Sequence, residues 1–162
     1  MIAMRNNQSL DPMRWQVLAR ALLPEIFRVL FADEQWNPGC SDSLMQFFFV
    51  LTPVVKQAHL SRDEEFLFRV HAFADWCMRQ PEQEIFNPAG VAFYENLFDD
   101  RPHDEAISWI SPTVFADIEE LLGFRLGAER FAKVKAAYAK RTSFNDRKYA
   151  SVIAQAERQM NK

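Results

Sequence analysis

The stretch SRDEEFLFRVHAFADWC, residues 61–77, decides the fold. Phe66, Val70, Phe73 and Cys77 recur at steps of three and four residues, the period that places side chains on one face of an α-helix. Leu67 and Ala74 widen that face. Ser61, followed three residues later by Glu64, is the pattern of a capping box, in which each side chain satisfies the other residue's exposed backbone donor. A helix with so broad an apolar face is stable only when other elements cover it. The remaining chain must supply that cover.

Working outward from this helix, the same signals recur. Asp11-Pro12 offers a cap and a first-turn proline, and Trp15, Leu18, Ala19, Leu22, Ile26, Val29 and Leu30 then keep helical spacing. Pro24 is placed to bend or divide that segment. Residues 33–41, containing Asn37-Pro38-Gly39, have turn chemistry. Residues 44–55 are almost continuously apolar. A helix started by Asp42 or Ser43 is one reading of them, and a buried strand over residues 46–51 is the competing one. Asn87-Pro88 and Ser111-Pro112 repeat the cap-and-proline start, residues 99–102 read as a loop, and Gly123 reads as a helix stop. Phe131, Val134 and Tyr138 face inward on a helix over residues 126–141, and Tyr149, Val152, Ile153, Ala156 and Met160 form a last stripe.

The fold expected is all-α, an irregular array of about six or seven amphipathic helices, with recurring proline starts that suggest a helical repeat but no constant period. At 162 residues the chain is one domain's worth, residues 1–162, with a subdomain change near residue 123 as the candidate division. Fifteen Phe and four Trp against four Gly describe bulky core filling. The start of the chain has no signal-peptide core and no apolar run reaches membrane-span length, so the expectation is a cytoplasmic protein without a membrane partner.

Charge is laid out unevenly. Residues 82–120 hold ten carboxylates against the single base Arg101, whereas residues 124–162 hold ten bases against three acids. The acidic tract suits recognition of a basic protein, since such a field speeds encounter and discourages wrong partners. Asp99, Asp100, Asp104 and Glu105 would steer, and Tyr94 and Trp109 would supply apolar anchoring. A solvated face, or pairing with the basic tract inside the molecule, accounts for the same composition, and Tyr94 and Trp109 are then core and loop support. The basic tract admits nucleic-acid binding through Arg130, Lys133, Lys140 and Lys148.

Catalytic signatures are missing. His59, His71 and His103 form no metal-binding spacing, and Cys40 and Cys77 read as buried thiols. His71 and Asp75, one helical turn apart, could share an imidazole–carboxylate hydrogen bond. No catalytic residue, metal ligand or cofactor is expected. An enzyme would need residues distant in sequence to converge, with His71 and Asp75 beside a cavity.

The run from Ala89 to Leu97, AGVAFYENL, follows a helix containing Phe73-Ala74-Asp75-Trp76 and precedes FADIEELL at residues 115–122. Over about residues 61–122 this pattern resembles that of small helical bacterial proteins similar to immunity proteins, with Glu95 and Leu97 at typical central-helix positions. The resemblance implies a non-catalytic protein that binds and neutralises a toxin by covering it.

Overall fold

The computed structural model describes residues 14–34, 43–99, 103–141 and 144–162, with side chains placed for all of these except 31–34, 103 and 104. Its helices are α1 (Arg14–Leu22), α2 (Pro24–Glu34), α3 (Leu44–Ser61), α4 (Glu64–Met78), α5 (Gln83–Pro88, continued by Ala89–Tyr94 and Glu95–Leu97), α6 (His103–Ile107), α7 (Pro112–Leu126), α8 (Ala128–Ala139) and α9 (Asp146–Met160). No strand occurs among the described residues. The protein is an all-α bundle. It has more helices than the sequence suggested because Pro24 does divide the first segment and a short helix, α6, forms before Trp109. Helix lengths from 5 to 18 residues show no repeating pair.

Helix α4 lies at the centre, against α1, α3, α5 and α9. Its predicted face is buried in full: Phe66, Val70, Phe73 and Cys77 all lie in the core. Aromatic rings lock the neighbours together. Phe47 of α3 touches Trp15 of α1, Phe27 of α2 and Phe73 of α4, with ring centroids 5.7, 5.4 and 5.6 Å apart. Phe48 meets Phe73 and, on α5, Phe93. Tilted and edge-on contacts of this kind add to burial because a ring edge is positive and its face negative. One connected core runs from Trp15 to Ala156.

The caps fall differently from the expected positions. Helix α3 starts at Ser43 as proposed, its side chain accepting from Gln46 N, but it runs on through Ser61 and ends with Arg62 in the left-handed conformation, φ 56°. Ser61 is therefore the last residue of α3. The N-cap of α4 is Asp63, which accepts from Phe66 N at 3.2 Å. Ser111-Pro112 starts α7 as proposed, the serine accepting from Val114 N. Asp11-Pro12 and Asn37-Pro38-Gly39 lie outside the described residues.

Asn87-Pro88 does not start a helix. α5 is already under way from Gln83, and Pro88 sits inside it. Proline has no N–H for the carbonyl four residues back and its ring crowds that carbonyl. The helix widens immediately into π geometry over Ala89–Tyr94. Carbonyls freed by such a widening need other donors. Thr52 Oγ1 of α3 lies 2.7 Å from its own-turn Phe48 carbonyl and 3.0 Å from that of Ala92. Asn96 Nδ2 donates to Val91 and Ala92 carbonyls.

Gly123 does not stop α7 either. A Cβ built there would sit 3.6 Å from the Phe131 ring, ordinary contact distance. The stop is Gly127, with φ 79° and ψ 161°, a region that essentially only glycine occupies. The two glycines should respond to alanine in opposite directions, as urea unfolding would measure. Gly127→Ala is expected to cost about 1–3 kcal/mol, although its Cβ would meet nothing within 4 Å. Gly123→Ala, inside a helix with room for the methyl, should be stabilising by about 0.5–1 kcal/mol.

Candidate functional site

Two polar side chains project from the core helix, and each finds its partner elsewhere than the sequence suggested. His71 and Asp75 do not pair. His71 turns to α3, its Nε2 lying 3.2 Å from Nε2 of His59, while Asp75 accepts from Ser111 Oγ and, at 2.6 Å, from Arg79 Nε. Arg79 Nη2 lies 3.2 Å from Ser111 Oγ and 3.3 Å from an Asp146 carboxylate oxygen at the start of α9. The buried carboxylate thus ties α4 to the beginnings of α7 and α9. Its hydrogen bond holds the Arg79 guanidinium above its ordinary pKa.

Trp109 lies in the link between α6 and α7, half-buried and fixed from three directions. Its indole stacks on the His71 ring at 5.7 Å between centroids and 16° between planes. Its carbonyl accepts from Tyr149 Oη of α9 at 2.7 Å, and two residues later Ser111 caps α7. Burial pushes the Tyr149 phenol up, so the donor keeps its proton.

Two depressions meet over this tryptophan. One, of about 280 Å3, is lined by His59, Arg62, Glu64, Leu67, Glu105, Ser108 and Trp109. The other, of about 500 Å3, shares Glu64, Ser108 and Trp109 and adds Glu65, Phe68, Phe144, Asn145, Lys148 and Tyr149. Together they make an open groove with aromatic walls and carboxylates from Glu64, Glu65 and Glu105. Glu64 and Glu105 are exposed, and Glu65 is exposed beside Arg69 at 3.2 Å.

The proposed contact residues therefore separate. Glu105 and Trp109 line the groove. Tyr94 does not reach a surface: it is 1% exposed in the core, edge-on to Phe93, so anchoring by its ring is withdrawn. Asp99 is bound internally by Arg125 at 2.8 Å, which holds its carboxyl below the usual range. Asp100 and the side chain of Asp104 lie outside the described residues. Glu64 was read only as a capping-box partner, and Glu65, Phe68 and Phe144 were not singled out from sequence. The acid run from Asp63 to Glu65 was visible, but nothing local shows that residues 105–109 and 144–149 return beside it.

Acidic and basic tracts meet in part. Arg125 reaches Glu95 and Asp99, Lys135 reaches Glu119, and Arg130 and Arg141 donate to the carbonyls of Phe98 and Ile110. Among the described residues no three His, Cys, Asp or Glu side chains are grouped to hold a metal, and no helix is long and apolar enough to cross a membrane. Burial raises the Cys77 thiol well above its usual pKa, against nucleophilic use. Cys40 lies outside the described residues. His71 is 0% exposed, whereas Asp75 borders a cavity of about 360 Å3 with Trp76, Arg79, Asp146 and Tyr149, so the two groups of the enzyme reading do not meet beside one cavity.

A family model, Domain of unknown function (DUF7674), matches residues 17–124. The chain belongs to this family. No curated protein and no solved structure matches it. The DUF7674 match contains His59, Glu64, Glu105 and Trp109 of the groove lining and His71 beneath the indole, whereas Phe144, Asn145 and Lys148 of the lining lie beyond the matched span.

The Asp75 knot is the support of that floor. Ser111→Ala removes both a helix cap and a donor to a buried carboxylate, and should cost about 2–4 kcal/mol in urea unfolding. In a double-mutant cycle, Asp75→Asn should cost clearly less in the Ser111→Ala background than alone, because the two side chains share one interaction.

Proposed function

We propose that the protein acts by binding, without catalysis, and that the groove over Trp109 receives a basic protein segment. The observation that carries this reading is the convergence of a half-buried indole with Glu64, Glu65 and Glu105 along one open groove. A cation over an indole face is attracted by the ring quadrupole, and exposed carboxylates beside it steer and orient such a partner. Lysine or arginine side chains fit both demands. The finer reading, neutralisation of a toxin by occlusion in the manner of an immunity protein, is supported by the resemblance at residues 61–122 and by a surface suited to a basic partner. Nucleic-acid binding is the weaker alternative, since of the four bases named for it Arg130 donates to the Phe98 carbonyl and Lys133 pairs with Glu129.

Identification of basic proteins retained from native cells at low salt, followed by association kinetics with the retained partner, tests the reading. Glu64→Lys with Glu105→Lys should slow association about tenfold or more at low ionic strength and flatten its salt dependence. Asp99→Asn should leave the rate nearly unchanged. Equal rates for the native protein and the folded double variant would show that the groove is not the docking surface.

A further inference from the structure

The His59–His71 contact lies directly under the groove and is used by nothing described above. Its two Nε2 atoms are 3.2 Å apart, so one hydrogen lies between them and the tautomers are tied. His71 Nδ1 is buried and has no partner. An orphaned buried N–H is rarer than an orphaned acceptor, which favours the arrangement in which His71 donates through Nε2 and leaves its Nδ1 as a bare lone pair. His59 then accepts at Nε2 and carries its own hydrogen on Nδ1.

A second proton has no satisfactory place in this arrangement. On His71 Nδ1 it becomes a buried donor without an acceptor. On His59 Nε2 it faces the His71 N–H, and two donors repel. A tautomer switch that relieves the repulsion again puts hydrogen on His71 Nδ1. The extra proton therefore either sets two donors against each other across the bridge or leaves an unpartnered N–H on the buried Nδ1 of His71. His71 cannot shift without disturbing its neighbours, because its ring is stacked on Trp109 and edge-on to Phe93.

We propose that the His59–His71 pair is a proton-operated latch beneath Trp109: uptake of one proton leaves the buried pair with a donor it cannot satisfy, turns the His71 ring against the indole, and alters the groove while adding positive charge beside Glu105. Its consequence for partner binding rests on the groove reading, but the latch itself is a property of the free protein.

The described groups around the pair set its response. Glu105 from α6 favours charging of His59, whereas burial opposes it and prevails. His71 is depressed further, by burial and then by His59. Arg62 and Glu64 line the groove on the His59 side, and Lys148 and Tyr149 of α9 lie on the other side of Trp109. Asp75, one turn along α4, is committed to Ser111 and Arg79, and α5 presents the uncharged Phe93. Both imidazoles titrate below their unfolded value near 6.5. The unfolded chain thus binds more protons in that window, so the pair's contribution to stability is complete above about pH 6.5 and is lost as pH falls below it.

Long-range proton–nitrogen NMR of histidine-labelled protein, from about pH 8 to pH 5, reads the latch directly, with the Trp109 indole resonance assigned through Trp109→Phe. One Nε2–H and one Nδ1–H tautomer are expected near neutrality, with a common transition below the ordinary imidazole range and an indole shift at the same midpoint. His59→Gln, which keeps a polar side chain but takes up no proton, should abolish the indole shift while the remaining spectrum stays native. An indole that does not move when the pair titrates, a shift that survives His59→Gln, or no uptake before unfolding would overturn the proposal. An oligo-arginine peptide supplies the separate arm. Its affinity should fall about fivefold between pH 7.5 and the acid side of that transition in the native protein and stay level in His59→Gln. Absence of peptide binding at both values, with the NMR transition intact, would remove the basic-partner reading and leave the latch standing.

Discussion

A carboxylate held at 5% exposure has few ways to exist in a folded protein: it must meet donors, or the cost of taking its charge out of water exceeds what packing returns. Asp75 meets Ser111 and Arg79, and those contacts place everything on the far side of α4. Ser111 is at once a ligand of the carboxylate and the cap of α7, so the start of that helix is fixed relative to the core. Arg79 carries the link to Asp146 and the start of α9. Trp109, two residues before Ser111 and bonded to Tyr149, inherits its position from both ends of this knot. The groove is a consequence of how one buried charge is satisfied.

The core was readable because its chemistry is periodic. Phe66, Val70, Phe73 and Cys77 declared their helix, and all are buried. The Ser43 and Ser111 caps and the division at Pro24 were equally local, since each depends on residues within one turn. Errors arose where a local signal competed with a longer-range one. Ser61 and Glu64 match a capping box, yet α3 was stable enough to run through the serine, and the cap passed to Asp63. Pro88 looked like a beginning, but a helix already packed against α3 absorbed it by widening, with Thr52 supplying a donor from 40 residues away. Gly123 looked like an end, and is instead an interior helical position at ordinary contact distance from Phe131.

The site was only half legible for the same reason. Glu105 and Trp109 announced themselves by type, as a carboxylate and a large amphipathic ring in a tract of excess negative charge. Tyr94 had the same credentials and is enclosed by the core. Only packing separates those two aromatics, because the sequence near each is mixed. The pairing of His71 with His59 rather than Asp75 likewise turns on which neighbouring helix faces which side of α4. A one-turn spacing along one helix permits a contact, but here Asp75 is taken by Ser111 and by Arg79 one turn on, and His71 by His59 of α3.

The charge polarity of the chain has a physical resolution that bears on where binding energy is available. Much of the basic tract is spent within the molecule, with Arg125 on Asp99 and Glu95, and Arg141 on the Ile110 carbonyl and over the Tyr138 ring at 4.0 Å. Pairs at that surface contribute little to stability, but they cancel field, so the acids around residue 99 project less potential than composition implies. Glu105 and Glu64 differ from them in lining an open groove beside an indole, with Arg62 as the one guanidinium in the same depression. A partner's cation there would gain electrostatic and aromatic contact together, from groups already held in place by the Asp75 knot and by the stack on His71. Preorganisation of that kind lowers the ordering cost of association, and it is why the groove, rather than the most acidic stretch of sequence, is where the molecule's negative charge is placed to act.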